Sequence, residues 1–249
     1  MKSSRIILII VIIVGVVLIL TRNAWMPKLV NKTNKNNITN TQTANYGPIT
    51  ITTKKINEAN FTGVTTTITG SSQIAIDMQK YIDDTINDFR NQANNEVPDM
   101  RAQFGANNPT SNYEIDINSK YIKDEKTESL VTSVYTFTGG AHGSTIYKVL
   151  TADLNTGKIL SLSDVIKPDM QSAFTSLVKK DLIDWRPEGS DAPVVFPDSV
   201  NSLTFDDFSN WSMNSKDLII YFDQYSIGPS VIGTTEFPIP ITDLKGFFK

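Results

Sequence analysis

Apolar residues fill positions 6–20 with Gly15 as the single interruption, and no other part of the chain carries such a run. Fifteen helical residues rise about 22 Å, short of a hydrocarbon core of roughly 30 Å. Extension through Trp25 and Met26 gives 21 residues, enough to span if Arg22 reaches back to the headgroups. Residues 6–26 are therefore expected to form a transmembrane signal-anchor behind a five-residue cytosolic tail. A cleaved signal peptide is the alternative, but the segment after Leu20 lacks the small-x-small pattern of a cleavage site. The working part is then everything beyond the anchor, placed outside the cell membrane on a single-pass chain.

Residues 27–45 are rich in Asn, Thr and Lys and nearly free of large apolar side chains. They cannot bury enough surface to offset their ordering entropy and read as a flexible tether. Beyond them the pattern shifts to short runs of Thr, Ile and Val. Segments 49–56, 61–69, 113–117, 130–138, 146–153, 217–222 and 234–241 read as strands. Pro238 and Pro240 withhold their donors on one side, which places the last strand at a sheet edge. Asn155-Thr156-Gly157-Lys158 predicts a tight hairpin turn into Ile159–Leu162.

Two stretches follow helical period. In 73–95, Ile74, Met78, Tyr81, Ile82, Ile86, Phe89 and Ala93 recur at steps of three and four. Ser71 or Ser72 is the expected N-cap, Pro98 the expected stop, and Met100–Ser111 a polar loop. In 169–184, Met170, Phe174, Leu177, Val178 and Leu182 form the stripe, with Pro168 suited to the first turn. Residues 185–203, with three prolines, read as a long loop. The expected class is α+β, with antiparallel sheets and two main helices packed on them, preceded by one N-terminal transmembrane helix. The soluble part divides into subdomains 46–112 and 113–249, expected to fold as one cooperative unit.

Charge is unevenly placed. Residues 1–45 carry six basic and no acidic side chains, whereas residues 46–249 carry 17 basic and 26 acidic ones. A soluble part of net charge −9 repels phosphate backbones, so nucleic acid is not an expected partner, and a cationic protein would be steered toward it. The chain has no cysteine and one histidine, His142. Those counts exclude disulfides, thiol nucleophiles, iron–sulfur clusters and multi-histidine metal sites. No metal or cofactor motif is present.

Two local features carry the candidate chemistry. Gly139-Gly140-Ala141-His142-Gly143 packs three glycines into five residues. It is either a backbone cradle with His142 as a polar contact or a strained hairpin in which His142 caps a nearby carbonyl. A His142-based hydrolase would need Ser144 as nucleophile and Asp153 or Asp223 as orienting acid, and no nucleophile motif supports it. The many acids, among them Glu125, Glu128, Asp206, Asp207, Asp223 and Glu236, single out no glycosidase pair. No catalytic residue is therefore assigned. The second feature is Tyr221-Phe222-Asp223-Gln224-Tyr225-Ser226-Ile227-Gly228-Pro229, a strand running into an aromatic loop. Its tyrosines are either exposed binding anchors or core residues beside a Gly-Pro turn. The candidate binding set is Gly139, Gly140, His142, Gly143, Asp223, Tyr225, Gly228 and Pro229.

The order of these elements is informative. A helix over 74–97 is followed by Tyr135-Thr136-Phe137-Thr138-Gly139-Gly140-Ala141-His142-Gly143. The hairpin Leu150–Lys158 with Leu160-Ser161-Leu162-Ser163-Asp164 comes next, then Tyr221–Pro229 with Gly233. This order resembles the extracellular domain of RsiV-type anti-sigma factors and the N-terminal domain of PdaC-type peptidoglycan deacetylases, over roughly residues 46–249. The resemblance implies a non-enzymatic, bacterial, extracytoplasmic domain that binds peptidoglycan or a lysozyme-like protein. The expected chain ends leave no sigma-binding segment before Ile6 and no catalytic domain after Lys249. An accessory role, with Thr234–Ile241 offered to a neighbouring envelope protein, is the other reading.

Overall fold

The computed structural model describes residues 41–108, 111–187 and 190–249. The expected membrane segment and the tether up to residue 40 lie outside them. Residues Thr41–Asn45, the end of the stretch read as tether, form strand β1, exposed throughout and paired antiparallel with β2 (Ile49–Asn57).

Strand β3 (Phe61–Gly70) pairs back on β2, and the chain then crosses through helix α1 (Gln73–Phe104) to β4 (Tyr113–Lys123). The β3–β4 pair is parallel over four residues, a feature the strand pattern does not reveal, and its close approach needs Gly63. A Cβ there would stand 1.8 Å from the Ile115 carbonyl oxygen. Antiparallel β5 (Thr127–Phe137), β6 (Ser144–Asp153) and the two-residue β7 (Ile159–Leu160) complete a seven-stranded sheet in sequential order. β3 and β4, on either side of residue 112, are neighbours in this sheet.

Helix α1 covers one face of the sheet. Ile74, Met78, Ile82, Phe89, Ala93 and Val97 are buried with Ile49, Ile51, Phe61, Ile115, Ile117, Leu130 and Val134. The helix does not stop at Pro98 but runs on to Phe104. Proline removes one intrahelical bond, but tertiary contacts hold the end of the helix. Val97 is fully buried, and Arg101 Nη1 donates to the Ala59 carbonyl and to Asn60 Oδ1, both at 3.1 Å. Ser72 takes the N-cap position, yet its side chain makes no capping bond.

A second core follows. The short helix α2 (Leu162–Val165) is closed by a Ser161–Asp164 capping box. A 3-10 turn at Pro168–Met170 leads into α3 (Gln171–Ile183), whose Phe174, Val178 and Leu182 are buried. The expected loop 185–203 contains a further helix, α4 (Pro197–Ser202), set by Pro197 at its first turn. A three-stranded antiparallel sheet has β9 (Asp217–Phe222) between β8 (Trp211–Met213) and β10 (Thr235–Pro240). β10 is thus an edge strand, as its prolines predict. Phe174, Phe208, Trp211, Leu218, Ile220, Phe237 and Leu244 lie in this second core. A small third cluster, Val131, Val149 and Tyr221, joins the two.

Candidate functional site

Strand β5 is buried on both faces from Thr127 to Thr132 because α1 covers one side and the three-stranded sheet the other. Small hydroxyls line that second side. Ser129 Oγ lies 2.9 Å from Thr151 Oγ1, which donates to the Trp211 carbonyl at 2.7 Å. Among the described residues, the free edge of β6 has no partner strand over its first half. Its donors go instead to side-chain carbonyls and a carboxylate. Thr145 N donates to Gln224 Oε1 (3.0 Å), Tyr147 N to Asp223 Oδ1 (2.6 Å) and Val149 N to Asn210 Oδ1 (3.0 Å). Gln224 N returns a bond to the Thr145 carbonyl at 3.1 Å, and Asn210 Nδ2 one to the Tyr147 carbonyl at 3.2 Å.

That lacing lays the aromatic segment beside the glycine turn. The Tyr225 hydroxyl lies 2.9 Å from His142 Nε2, and the two rings are 5.9 Å apart with a 37° tilt. His142 Nδ1 is 3.1 Å from the Gly143 carbonyl oxygen. The tautomer with the proton on Nδ1 satisfies both contacts: Nδ1–H donates to Gly143 and Nε2 accepts from Tyr225. Both side chains are exposed, Tyr225 by 46%. Among the described residues Tyr225 is the one non-glycine with a positive φ, 72°. A left-handed conformation for a bulky residue costs on the order of 1–3 kcal/mol and persists where its surroundings impose it.

The candidate residues therefore separate by role. Gly139 and Gly140 adopt φ of 89° and 98° and make the turn. At Gly143 a Cβ would fall 2.4 Å from the Tyr135 ring, so this glycine makes room for a neighbour. Gly228 is buried against the Val194 carbonyl and the Ile232 side chain, and Pro229 opens the 3-10 turn Ser230–Ile232. Asp223 accepts from the Tyr147 amide through Oδ1 at the β6 edge. Asp153 caps its own turn, accepting from Asn155 N and Thr156 N. Tyr221 is buried, its hydroxyl 2.8 Å from Ser212 Oγ. Of the two tyrosines, only Tyr225 stands out in solvent.

Residues with no sequence signal complete the surroundings. Phe196 is 49% exposed and Val231 57%. Phe196 N donates to the Ile227 carbonyl, and the Ser230 carbonyl accepts from Gln224 Nε2, which ties the backbone next to each of them to the segment that carries Tyr225. Lys120 pairs with Glu236 at 2.6 Å and lies over the Tyr221 ring. The Tyr147 hydroxyl donates to Glu236 Oε1 at 3.2 Å. Burial, with the nearby Glu236 and Asp223 charges, pushes the Tyr147 phenol up to about 12. No group of three or more acidic or histidine side chains among the described residues is placed to hold a metal ion.

Two family profiles match the chain. The one described as deacetylase PdaC covers residues 26–145, and the one described as a protein of unknown function, DUF3298, covers residues 163–242. The curated peptidoglycan-N-acetylmuramic acid deacetylase PdaC of Bacillus subtilis strain 168 is 25% identical over 145 residues, which is 56% of this chain. That match spans 30% of the deacetylase's own length. Two solved DUF3298-family structures share the fold. The one from Bacteroides fragilis NCTC 9343 has a TM-score of 0.56 at 17% identity, covering 83% of this chain and 96% of that one. The one from Pseudomonas aeruginosa PAO1 has a TM-score of 0.52 at 16% identity, covering 84% and 94%. The two matched segments fall one on each hydrophobic core, and the His142–Tyr225 contact joins them. In sequence and in fold, the chain resembles the N-terminal domain of PdaC-type deacetylases together with a DUF3298 domain.

Proposed function

We propose that this protein is a non-catalytic binding module of the bacterial cell envelope, anchored by its N-terminal apolar segment with the described domain outside, and that it contacts peptidoglycan through the rim around Tyr225. The observation that carries this reading is an exposed tyrosine held in a left-handed backbone and fixed by a hydrogen bond to the one histidine. Such a group presents area at little further entropy cost. The relative's named substrate, a peptidoglycan sugar, agrees with it. A hydrolytic reading gains no support, because the contacts of His142 are a phenol and a backbone carbonyl.

The acid excess of residues 46–249 favours one second reading, a cationic lysozyme-like protein as partner. A pelleting experiment separates the two. Full-length protein in mild detergent is mixed with purified sacculi, with and without lysozyme, at low and high salt. Sedimentation without lysozyme at both salt concentrations is expected. Sedimentation only with lysozyme, weakening as salt rises, would establish the protein partner instead. Absence of pelleting in every condition would reject both and favour an accessory subunit.

A further inference from the structure

We infer that the groove between α1 and the β2–β3 hairpin binds a phosphodiester carried on a small hydroxylated alcohol, a glycerol-phosphate type of group, at a site that shares no residue with the rim around Tyr225. The cavity there measures about 620 Å³, a size suited to a small ligand. It exists because the helix is tied to the hairpin at two separated places. Near the hairpin tip, Arg90 Nε and Nη2 each donate to a different Glu58 carboxylate oxygen at 2.9 Å. Toward the helix start, Gln79 Oε1 accepts from the Ile68 amide at 2.5 Å. These ties lie about three helical turns apart, roughly 16 Å along the axis. Between them the helix lines the cavity with Asp83, Ile86 and Asn87, and the hairpin lines it with Lys54, Lys55 and Thr67. A wall fixed at both ends before a ligand arrives lowers the ordering cost of binding.

The polar inventory of this wall is lopsided. Its acceptors are largely spent on the wall itself. Both Glu58 oxygens take Arg90 and Gln79 Oε1 takes the Ile68 amide. Asn87 Oδ1 accepts from Arg90 Nη1 at 2.6 Å, and Asp83 Oδ1 accepts from Gln79 Nε2 at 2.8 Å. The donors are not spent. Among the described residues Lys54 and Lys55 enter no ion pair, and Asn87 Nδ2 and the Thr67 hydroxyl have no partner. A ligand rich in acceptors completes such a wall. Charge narrows the choice. Glu58 and Arg90 cancel, and two lysines against Asp83 leave one positive charge, which matches a monoanion. That local sign is opposite to the rest of residues 46–249, where 26 acids outnumber 17 bases. A tetrahedral phosphate serves donors converging from both walls, whereas a carboxylate offers its oxygens in one plane. The second Asp83 oxygen suits a hydroxyl of the alcohol, and the half-buried Ile86 suits its carbons.

The test is calorimetric titration of the full-length protein in mild non-ionic detergent with glycerophosphoglycerol and with glycerol. The diester is expected to bind, severalfold more weakly at high salt than at low, and glycerol to give no heat of binding. Lys54→Gln with Lys55→Gln should weaken the diester at least tenfold with no change in melting temperature, since both side chains are exposed. Thr67→Val should weaken it severalfold. Lys245→Gln, an exposed lysine of the other core, should leave affinity unchanged, as should Tyr225→Asn. Absence of diester binding overturns the site. An equal loss in Lys245→Gln also overturns it, because the attraction is then one of overall charge, and so does binding of glycerol as tight as that of the diester. A second arm finds the source of the group. Phosphatidylglycerol added to the detergent micelles abolishes the titration if the site takes a lipid headgroup, and leaves it unchanged if the site takes a free diester; either result upholds the shared chemistry. The same abolition by phosphatidylcholine would overturn the match to an uncompensated anion.

Discussion

Gly140 and Gly143 sit three residues apart and are needed for different reasons. Gly140 has φ of 98° with open space around it, so a methyl there meets only backbone strain. Gly143 has an ordinary φ, and its Cβ would collide with the Tyr135 ring at 2.4 Å and with the Thr136 carbonyl at 2.5 Å. Gly140→Ala is expected to cost about 1 kcal/mol, and Gly143→Ala more, about 2–3 kcal/mol, because Tyr135 and β5 must shift to accept it. Urea unfolding of the two variants checks the order. A larger loss at Gly140 would show that the turn's backbone, and not the fit against Tyr135, dominates.

At the scale of elements, the first half of the β6 edge is paired without a strand. A carboxylate and two side-chain amides from the second sheet accept its amide protons, and those bonds hold the two sheets together. Asp223→Ala leaves the Tyr147 amide without its acceptor at a half-buried position, at a cost of about 1–3 kcal/mol. Asp223→Asn keeps an acceptor oxygen and should lose less than half of that. Amide exchange at Tyr147 should accelerate in the first variant and change little in the second. Equal exchange in both would mean that packing, not this bond, protects the edge. Helix α1 offers a parallel case past Pro98. Its last turns depend on Arg101 reaching the β2–β3 turn, so Arg101→Ala should fray residues 99–104 and leave the rest of the helix protected.

At the scale of the whole molecule, two cores meet through a narrow seam of Val131, Val149, Tyr221 and buried hydroxyls. Tyr147 stands in that seam with its phenol raised to about 12 from an ordinary 10. A group that binds its proton more tightly when folded contributes stability that is complete below its unfolded pKa. That contribution is lost as pH rises through the folded value. Stability should therefore hold up to about pH 10 and fall between 10 and 12, by on the order of 2–3 kcal/mol for this phenol. Phenolate absorbance followed with near-ultraviolet circular dichroism checks it. Tyr147→Phe should flatten the alkaline limb, and a curve identical to wild type would remove Tyr147 from the effect.

What the residue pattern determined alone was local. Period-two runs of Thr, Ile and Val specify the strands, the stripes from Ile74 and from Met170 specify both long helices, and Pro238 with Pro240 specifies an edge, because each depends on neighbours a few positions away. The distinctive character of both candidate segments was legible for the same reason: glycine density and an aromatic Gly-Pro run are compositional. The parallel β3–β4 pair, the run of α1 past Pro98 and the helix at Pro197–Ser202 were decided by contacts distant in sequence. So was the meeting of His142 with Tyr225, 83 residues apart. Nothing local distinguishes Tyr225, which ends in solvent, from Tyr221, which ends in the seam. Strand alternation assigns a face to Tyr221, and only the docking of one core on the other decides which faces are covered.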